Sequence, residues 1–326
     1  SNDDTNFYKA IAYIRFILLA YALNYYFETY KNKLFKSWTL IFLIVSCDIL
    51  IEFIFGRNIL GFSSNYPARI ASFTGDELII GSFYFCFICF ALSFIKSYNN
   101  KIFYICFVLF LFISLIIGER SNFLKILIIY FFIFLSLDKI SSLKKIFTLF
   151  VLLFACALVI QNIDGLRTKY TIHIFDIKKY NSYSDATPKF EKFMSSNRHL
   201  GHYYVAHKIF KENKLFGSGF RTYRIESYKE KYIFNNILAG STHPHQIHFE
   251  ILSDLGLIGY FLIIFNLVKL MFNQREFKLE NIKFCSFLFM IAFLFPLIPS
   301  GSLFTTNYAI IFWINYSFLI QKGKNI

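Results

Sequence analysis

The chain has 326 residues, 56% of them hydrophobic and only 17% charged, with a formal net charge of +14 and a mean hydropathy of +0.50. A water-soluble fold of this size cannot bury so much apolar side chain, and apolar residues gathered in long runs exclude a disordered or fibrous chain as well. What remains is a polytopic, all-α membrane protein.

Runs of about 20 mostly apolar residues mark spanning helices. They fall near 10–27, 38–55, 78–95, 102–117, 122–137, 146–163, 249–270, 284–298 and 303–320, about nine spans in all. The chain opens on Ser rather than Met and has no signal-peptide cleavage pattern, so loss of an N-terminal piece, spans included, is an expectation. Three parts follow: residues 1–163 with six helices and short loops, a large loop at 164–245, and residues 246–326 with three helices and a tail. The six cysteines all sit inside apolar runs. Cys86 and Cys89, though spaced C-x-x-C, read as small apolar side chains one helical turn apart.

Lys and Arg orient the bundle. One set of loop segments and the tail carries Lys31, Lys33, Lys36, Lys96, Lys101, Lys139, Lys144, Lys145, Lys269, Arg275, Lys278, Lys283, Lys322 and Lys324. The alternate short loops hold only Arg57, Arg69 and Arg120. The first set, and with it the C-terminus, is expected in the cytoplasm, which puts 164–245 outside. That loop carries 14 Lys and Arg against seven acids and holds six of the seven histidines. Its aromatic residues, among them Phe175, Tyr180, Phe190, Phe193, Tyr203 and Phe220, predict a folded cap resting on the bilayer. Part of the basic excess sits in membrane-anchoring loops, which argues against nucleic acid as a partner and for the lipid bilayer.

Ionisable groups at membrane depth are costly and point to function. Arg15, Asp48, Glu52, Arg120, Lys125, Glu250 and Asp254 all fall in the outer half of their spans or at the outer ends, the pattern of a cavity opening outward. Asp48 and Glu52 share a helix face, and a structural ion pair with Arg15 or Arg57 is the plainer account of them. Arg120 lies in the tight turn Gly118-Glu119-Arg120-Ser121, where its guanidinium either forks onto a phosphate or snorkels to headgroups. Arg198, Arg221 and Arg224 bracket Gly217-Ser218-Gly219, a spacing that alone marks only a turn. At the end of the loop stands Ser241-Thr242-His243-Pro244-His245-Gln246-Ile247-His248-Phe249-Glu250, helical from Gln246 onward. Its histidines are open to three readings: a metal site of His243, His245 and His248, a neutral imidazole acting as general base, or structural roles. A transporter or flippase of a lipid-linked or anionic substrate would also use such charges. It predicts paired repeats and broken spans near the midplane, of which the sequence offers only Pro296 and Pro299 near the outer end of the eighth span.

The run His245-Gln246-Ile-His-Phe-Glu250-Ile-Leu-Ser-Asp254-Leu-Gly256-Leu-Ile-Gly259, closing a large outer loop, resembles the signature of the O-antigen ligase/polymerase superfamily. Pro67-Ala-Arg69-Ile-Ala-Ser72-Phe73-Thr-Gly-Asp76-Glu77, Gly118-Glu119-Arg120-Ser121, and Arg198 followed by Leu215-Phe216-Gly217-Ser218-Gly219 are similar to further family segments, so that the likeness covers most of residues 60–260. Gln246 stands where Asn is commoner, Glu119 where a small residue is frequent, and nine spans fall short of the family's ten to twelve. The resemblance implies a glycosyltransferase fold of the C type in the bacterial inner membrane. It implies transfer of undecaprenyl-diphosphate-linked glycan, on the outer face, to a sugar hydroxyl with inversion and without metal or other cofactor. The acceptor is lipid A-core in a ligase and a further repeat unit in a polymerase. His245 would be the base and Arg120 and Arg198 the stabilisers of the diphosphate, with Arg69 and Arg221 in support. Glu77, Arg224 and His243 join the substrate-binding set, and Glu250 or Asp254 would orient His245.

Overall fold

A computed structural model describes residues 2–66, 68–77, 79–137, 141–172, 198–232, 240–274, 276–296 and 298–321. Pro67, Lys139, Phe175, Tyr180, Phe190, Phe193, Arg275, Lys322 and Lys324 lie outside the described residues. Among the described residues the regular elements are all helical. The long ones are α1 (Asn2–Phe55), α2 (Ile80–Tyr98), α3 (Asn100–Ile116), α4 (Arg120–Leu135), α5 (Ser142–Asn162), α6 (Arg198–Glu212), α7 (Ile247–Phe272), α8 (Ile282–Phe293) and α9 (Thr306–Leu319).

The first two expected helices and the basic segment between them are one helical stretch, broken at Tyr30 (φ −122°, ψ 22°). The rings of Phe27 and Phe35 lie 5.7 Å apart, whereas eight residues of straight helix separate by about 12 Å along the axis. α1 is therefore two helices meeting at a sharp bend. Asn99 makes the equally tight α2–α3 corner: it ends α2, and its side-chain oxygen accepts from the N–H groups of Lys101 and Ile102 (2.8 and 3.2 Å) at the start of α3. Asn281 caps α8 in the same way through Lys283 N–H.

Four helical segments among the described residues are long and apolar enough to cross a membrane: Phe7–Phe55, Ile80–Tyr98, Leu143–Asn162 and Ile247–Phe272. Asn100–Ile116 and Ile282–Phe293 are apolar but shorter. α5 exposes Leu143, Ile146, Phe147 and Phe150, and α7 exposes Phe261, Leu262, Phe265 and Phe272. Apolar faces of this extent need lipid rather than water against them. The chain is a membrane protein.

The chain divides into two compact units. The first comprises residues 1–19, 175–272 and 296–312. Here α6 packs on α7, and Val205, Ala206, Ile209, Tyr223 and Tyr232 form a buried cluster with Phe249 against it. Tyr203 stacks on Phe249 at 5.1 Å.

The second unit comprises residues 20–174, 273–295 and 313–326. α2 is its centre, packed against α3, α4 and α8. Aromatic rings fill the interior: Phe42 with Tyr84 (4.4 Å), Phe85 with Phe289 (4.5 Å) and Phe107 with Tyr130 (4.2 Å). Cys86 and Cys89 are buried thiols in α2 that form no disulfide among the described residues, Cys86 accepting from Asn315. Asp48 and Glu52 do not pair with Arg15 or Arg57 as the plainer account supposed. The carboxylate of Asp48 accepts from Ile59 N–H and the Ser72 hydroxyl (2.9 and 2.6 Å), and that of Glu52 accepts from the N–H groups of Ala71 and Ser72 (3.0 and 2.6 Å). Both acids tie down the loop after α1, because its buried N–H groups have no water to turn to. Arg15 donates to Thr306 instead.

Candidate functional site

In the first unit, chemistry gathers around a break in α7. Gly256 stands at φ 65°, ψ −167° inside this helix, a region open essentially to glycine alone. An unbroken helix was expected from Gln246 onward. The break exposes backbone groups that must find partners elsewhere, and the segment 214–219 supplies them. The N–H groups of Ser218 and Gly219 donate to the carbonyls of Ser253 and Asp254 (both 2.9 Å), and those of Leu257 and Ile258 donate to the carbonyls of Lys214 and Leu215 (2.8 and 3.1 Å). A Cβ on Gly217 would overlap Asp254 and the N of Gly256. The two glycine-bearing motifs are thus halves of one interlock.

The interlock positions the charged residues beside it. Asp254 is buried, and its carboxylate accepts from Tyr223 N–H at 2.9 Å, with Arg221 N–H and the Thr222 hydroxyl as further donors. Glu250, one turn earlier and equally buried, accepts from Leu303 N–H at 2.8 Å and from the Ser302 hydroxyl. Arg221, held at φ 60°, feels the charges of Arg224, Glu250 and Asp254. The two acids therefore anchor chain segments and balance arginines. At the His245 ring itself the structure places Ser241, whose Oγ is 3.4 Å from Nε2.

His245 precedes the helix on a left-handed backbone (φ 58°), its carbonyl accepting from Ser300 N–H at 2.8 Å. Gln246 is the helix cap: its side-chain oxygen accepts from the N–H groups of His248 and Phe249 (2.7 and 3.2 Å), and its amide donates to the Pro296 carbonyl (3.0 Å). An Asn or a Gln side chain can supply such a cap oxygen, which accounts for Gln at this position. Around the His245 ring lie those of His243 (4.1 Å), His199 and His202 (both 5.2 Å). His199 and His202 were not singled out from the sequence, although they sit one turn apart on one face of α6. Burial first, then the charges of His202, Arg224 and His199, hold the pKa of His243 down at about 4, so it is neutral at pH 7. His248 points elsewhere, its Nδ1 3.1 Å from the Tyr260 hydroxyl. Among the described residues no group of three His, Cys, Asp or Glu is disposed to hold a metal ion. Arg198 opens α6.

In the second unit, cations gather at the turn before α4. Gly118 (φ 76°) approaches Ala68 so closely that a Cβ would overlap the Ala68 carbonyl, and Ile70 N–H donates to the Ile117 carbonyl (3.2 Å). This pins Arg69 next to Glu119 and Arg120. Lys169 reaches in from beyond α5, its Nζ donating to the Ala68 carbonyl at 3.0 Å. Burial first, then the charges of Arg69 and Arg120, bring its pKa down to about 8, with Glu119 opposing. The Glu119 carboxylate accepts from Asn122 Nδ2 (2.5 Å) and Gly81 N–H (3.4 Å). Its burial raises its pKa, against the Asn122 bond, the Arg69 charge, the Gly81 N–H and Lys169. Beside Arg69 opens a cavity of about 310 Å³, lined also by Ser63, Ser64, Tyr66 and Gly165. Lys125 is buried in α4 with its ammonium over the rings of Phe85 and Phe293 (5.5 and 5.7 Å). Glu77 is exposed at the end of the 3₁₀ turn Ser72–Glu77.

Of the residues expected to act, the first unit thus brings together His243, His245, Arg221, Arg224, Glu250 and Asp254, and the second Arg69 and Arg120. Lys169 was missed because only its fold-back onto Ala68 sets it apart from the other lysines of the long loop.

The sequence model of the O-antigen ligase family matches residues 80–264, more than half of the chain. The matched stretch includes Arg120, Arg198, the Gly217–Gly256 interlock and the histidine cluster. No curated protein and no solved structure matches the chain.

Proposed function

The chain belongs to the O-antigen ligase family, and from that premise we propose that it transfers undecaprenyl-diphosphate-linked glycan to the hydroxyl of a lipid A-core sugar. The reaction takes place on the periplasmic side of the bacterial inner membrane, under a cap formed by residues 164–245 and with the C-terminus in the cytoplasm. Family membership carries the coarser reading, a glycosyltransferase of ligase or polymerase type acting on a lipid-linked glycan at a membrane. The observation that supports base-assisted transfer, in a ligase and a polymerase alike, is the setting of His245. Its ring stands at the entry to α7 on a constrained backbone, beside a serine hydroxyl and a histidine kept neutral at pH 7.

In this reading the acceptor hydroxyl gives its proton to His245 while its oxygen attacks the anomeric carbon of the donor. The bond from that carbon to the diphosphate oxygen breaks, its electron pair leaves with undecaprenyl diphosphate, and the anomeric centre inverts. A positioned base of this kind is worth roughly 10²–10⁴-fold. Arg120 and Arg198, with Arg69 and Arg221, stabilise the departing charge, the work that fixed cations perform in phosphoryl chemistry. No metal is assigned a part. Arg224, His243 and Glu77 contact substrate, and Glu250 and Asp254 hold the arginines in register.

A lipopolysaccharide gel from a deletion strain carrying wild type, His245→Ala or Arg120→Ala tests the proposal. Loss of all capped bands, with undecaprenyl-linked polymer accumulating, is the expected result for a ligase. Core bearing a single repeat would identify a polymerase instead. A normal ladder from both variants, where deletion abolishes it, would overturn the assignment in favour of transport.

A further inference from the structure

Lys169 is the one group of the second unit's cation cluster that the catalytic proposal leaves without a task. It lies on a short π-helical turn, Thr168–Ile172, whose placement is built in. Tyr170 donates to the Leu115 carbonyl (3.4 Å), Lys169 to the Ala68 carbonyl (3.0 Å), and Gly165 allows the chain to press against the Ala68 side chain. These contacts bring a third cation to Arg69 and Arg120. Among the described residues Glu119 is the single carboxylate whose charge acts on Lys169, and it is already engaged by Asn122 and the Gly81 N–H. Three half-buried cations against one occupied acid repel one another, and a multivalent anion relieves that repulsion.

We propose that Lys169 completes, with Arg69 and Arg120, a three-cation cradle for a diphosphate. The inference rests on the donor reading above and extends it to a residue outside the family-like motifs. It differs from that reading in one consequence. The Lys169 ammonium, with its pKa lowered to about 8 by burial, Arg69 and Arg120, is lost in mild base. The groups whose charge acts on it are Arg69 from the loop after α1 and Glu119 and Arg120 from the turn before α4, and Tyr170 is its neighbour on the same turn. Of these, Tyr170 is held protonated through that range, its pKa raised chiefly by burial. Grip on the anion therefore weakens as pH rises through 8, because a proton must be supplied to Lys169 on binding.

The test is binding of inorganic pyrophosphate, and separately of undecaprenyl diphosphate, to the full chain in detergent micelles at pH 7 and pH 9. Wild type, Lys169→Arg and Lys169→Gln are compared. At pH 7 Lys169→Gln should bind about tenfold more weakly than wild type, the loss of one charge-assisted contact, while Lys169→Arg binds as wild type does. At pH 9 wild type should fall towards Lys169→Gln while Lys169→Arg stays tight, a comparison that cancels the ligand's own titration. A wild type that binds neither ligand, a Lys169→Gln that matches it at pH 7, or a wild type that tracks Lys169→Arg at pH 9 overturns the cradle. Should Lys169→Gln fail to fold, the wild-type and Lys169→Arg comparison decides alone. Lys169-dependent binding alongside a normal lipopolysaccharide ladder in His245→Ala would keep the cradle and remove His245 as the base of the transfer.

Discussion

Replacing Gly256 by Ala tests the interlock on which the first unit's charged residues depend. At φ 65°, ψ −167° a side chain costs about 1–3 kcal/mol in backbone strain alone. The added Cβ would also overlap the Leu215 carbonyl and the Gly217 N, forcing the segment 214–219 away from α7. Four backbone hydrogen bonds join them, each worth about 1 kcal/mol and more if its groups stay buried without partners. Losing half of them brings the total to about 3–5 kcal/mol. Gly75 supplies the control, with a similar conformation (φ 55°, ψ −145°) and open space where a Cβ would stand. Gly75→Ala therefore carries the strain without the overlap. Unfolding of both variants in detergent, followed by intrinsic fluorescence against added dodecyl sulfate, should show Gly256→Ala less stable than Gly75→Ala by about 2 kcal/mol, the two bonds lost. Equal stability of the two variants would refute the interlock.

Gln246→Ala removes the oxygen that caps α7 and should lower stability by about 1 kcal/mol, whereas Gln246→Asn, which keeps an amide, should lose much less; equal losses in the same unfolding assay would contradict the capping role. His243 gives a pH dependence of definite sign. The unfolded chain takes up its proton near the ordinary value of 6.5 while the folded chain resists until about 4, so this stability is present above pH 6.5 and drains away as the pH falls to about 4. His243→Gln should flatten that slope, and an unchanged slope would show that the ring is not held neutral by its surroundings.

Composition and the length of apolar runs determine the solvent and the element type, because about 20 apolar residues in sequence can satisfy their backbone in lipid only as helix. α2, α3, α4, α5 and α7 accordingly lie close to their expected places, and the family motif is read from local spacing around His245 and Gly256. Features that depend on distant pairs were not legible. Tyr30 bends α1 through packing of Phe27 and Phe35 against each other and against Phe318, and nothing at Tyr30 itself announces it. Asp48 and Glu52 show a shared face in sequence, but their partners are N–H groups and a hydroxyl 11 to 24 residues onward. The break at Gly256 exists because residues 214–219 are present to receive its freed backbone groups. His199 and His202 join His245 across about 40 positions of chain, and Lys169 joins Arg69 across 100. A linear sequence carries the residues and their local periodicity, whereas which buried donor meets which acceptor is decided by the folded chain, where a buried backbone group left without a partner is costly.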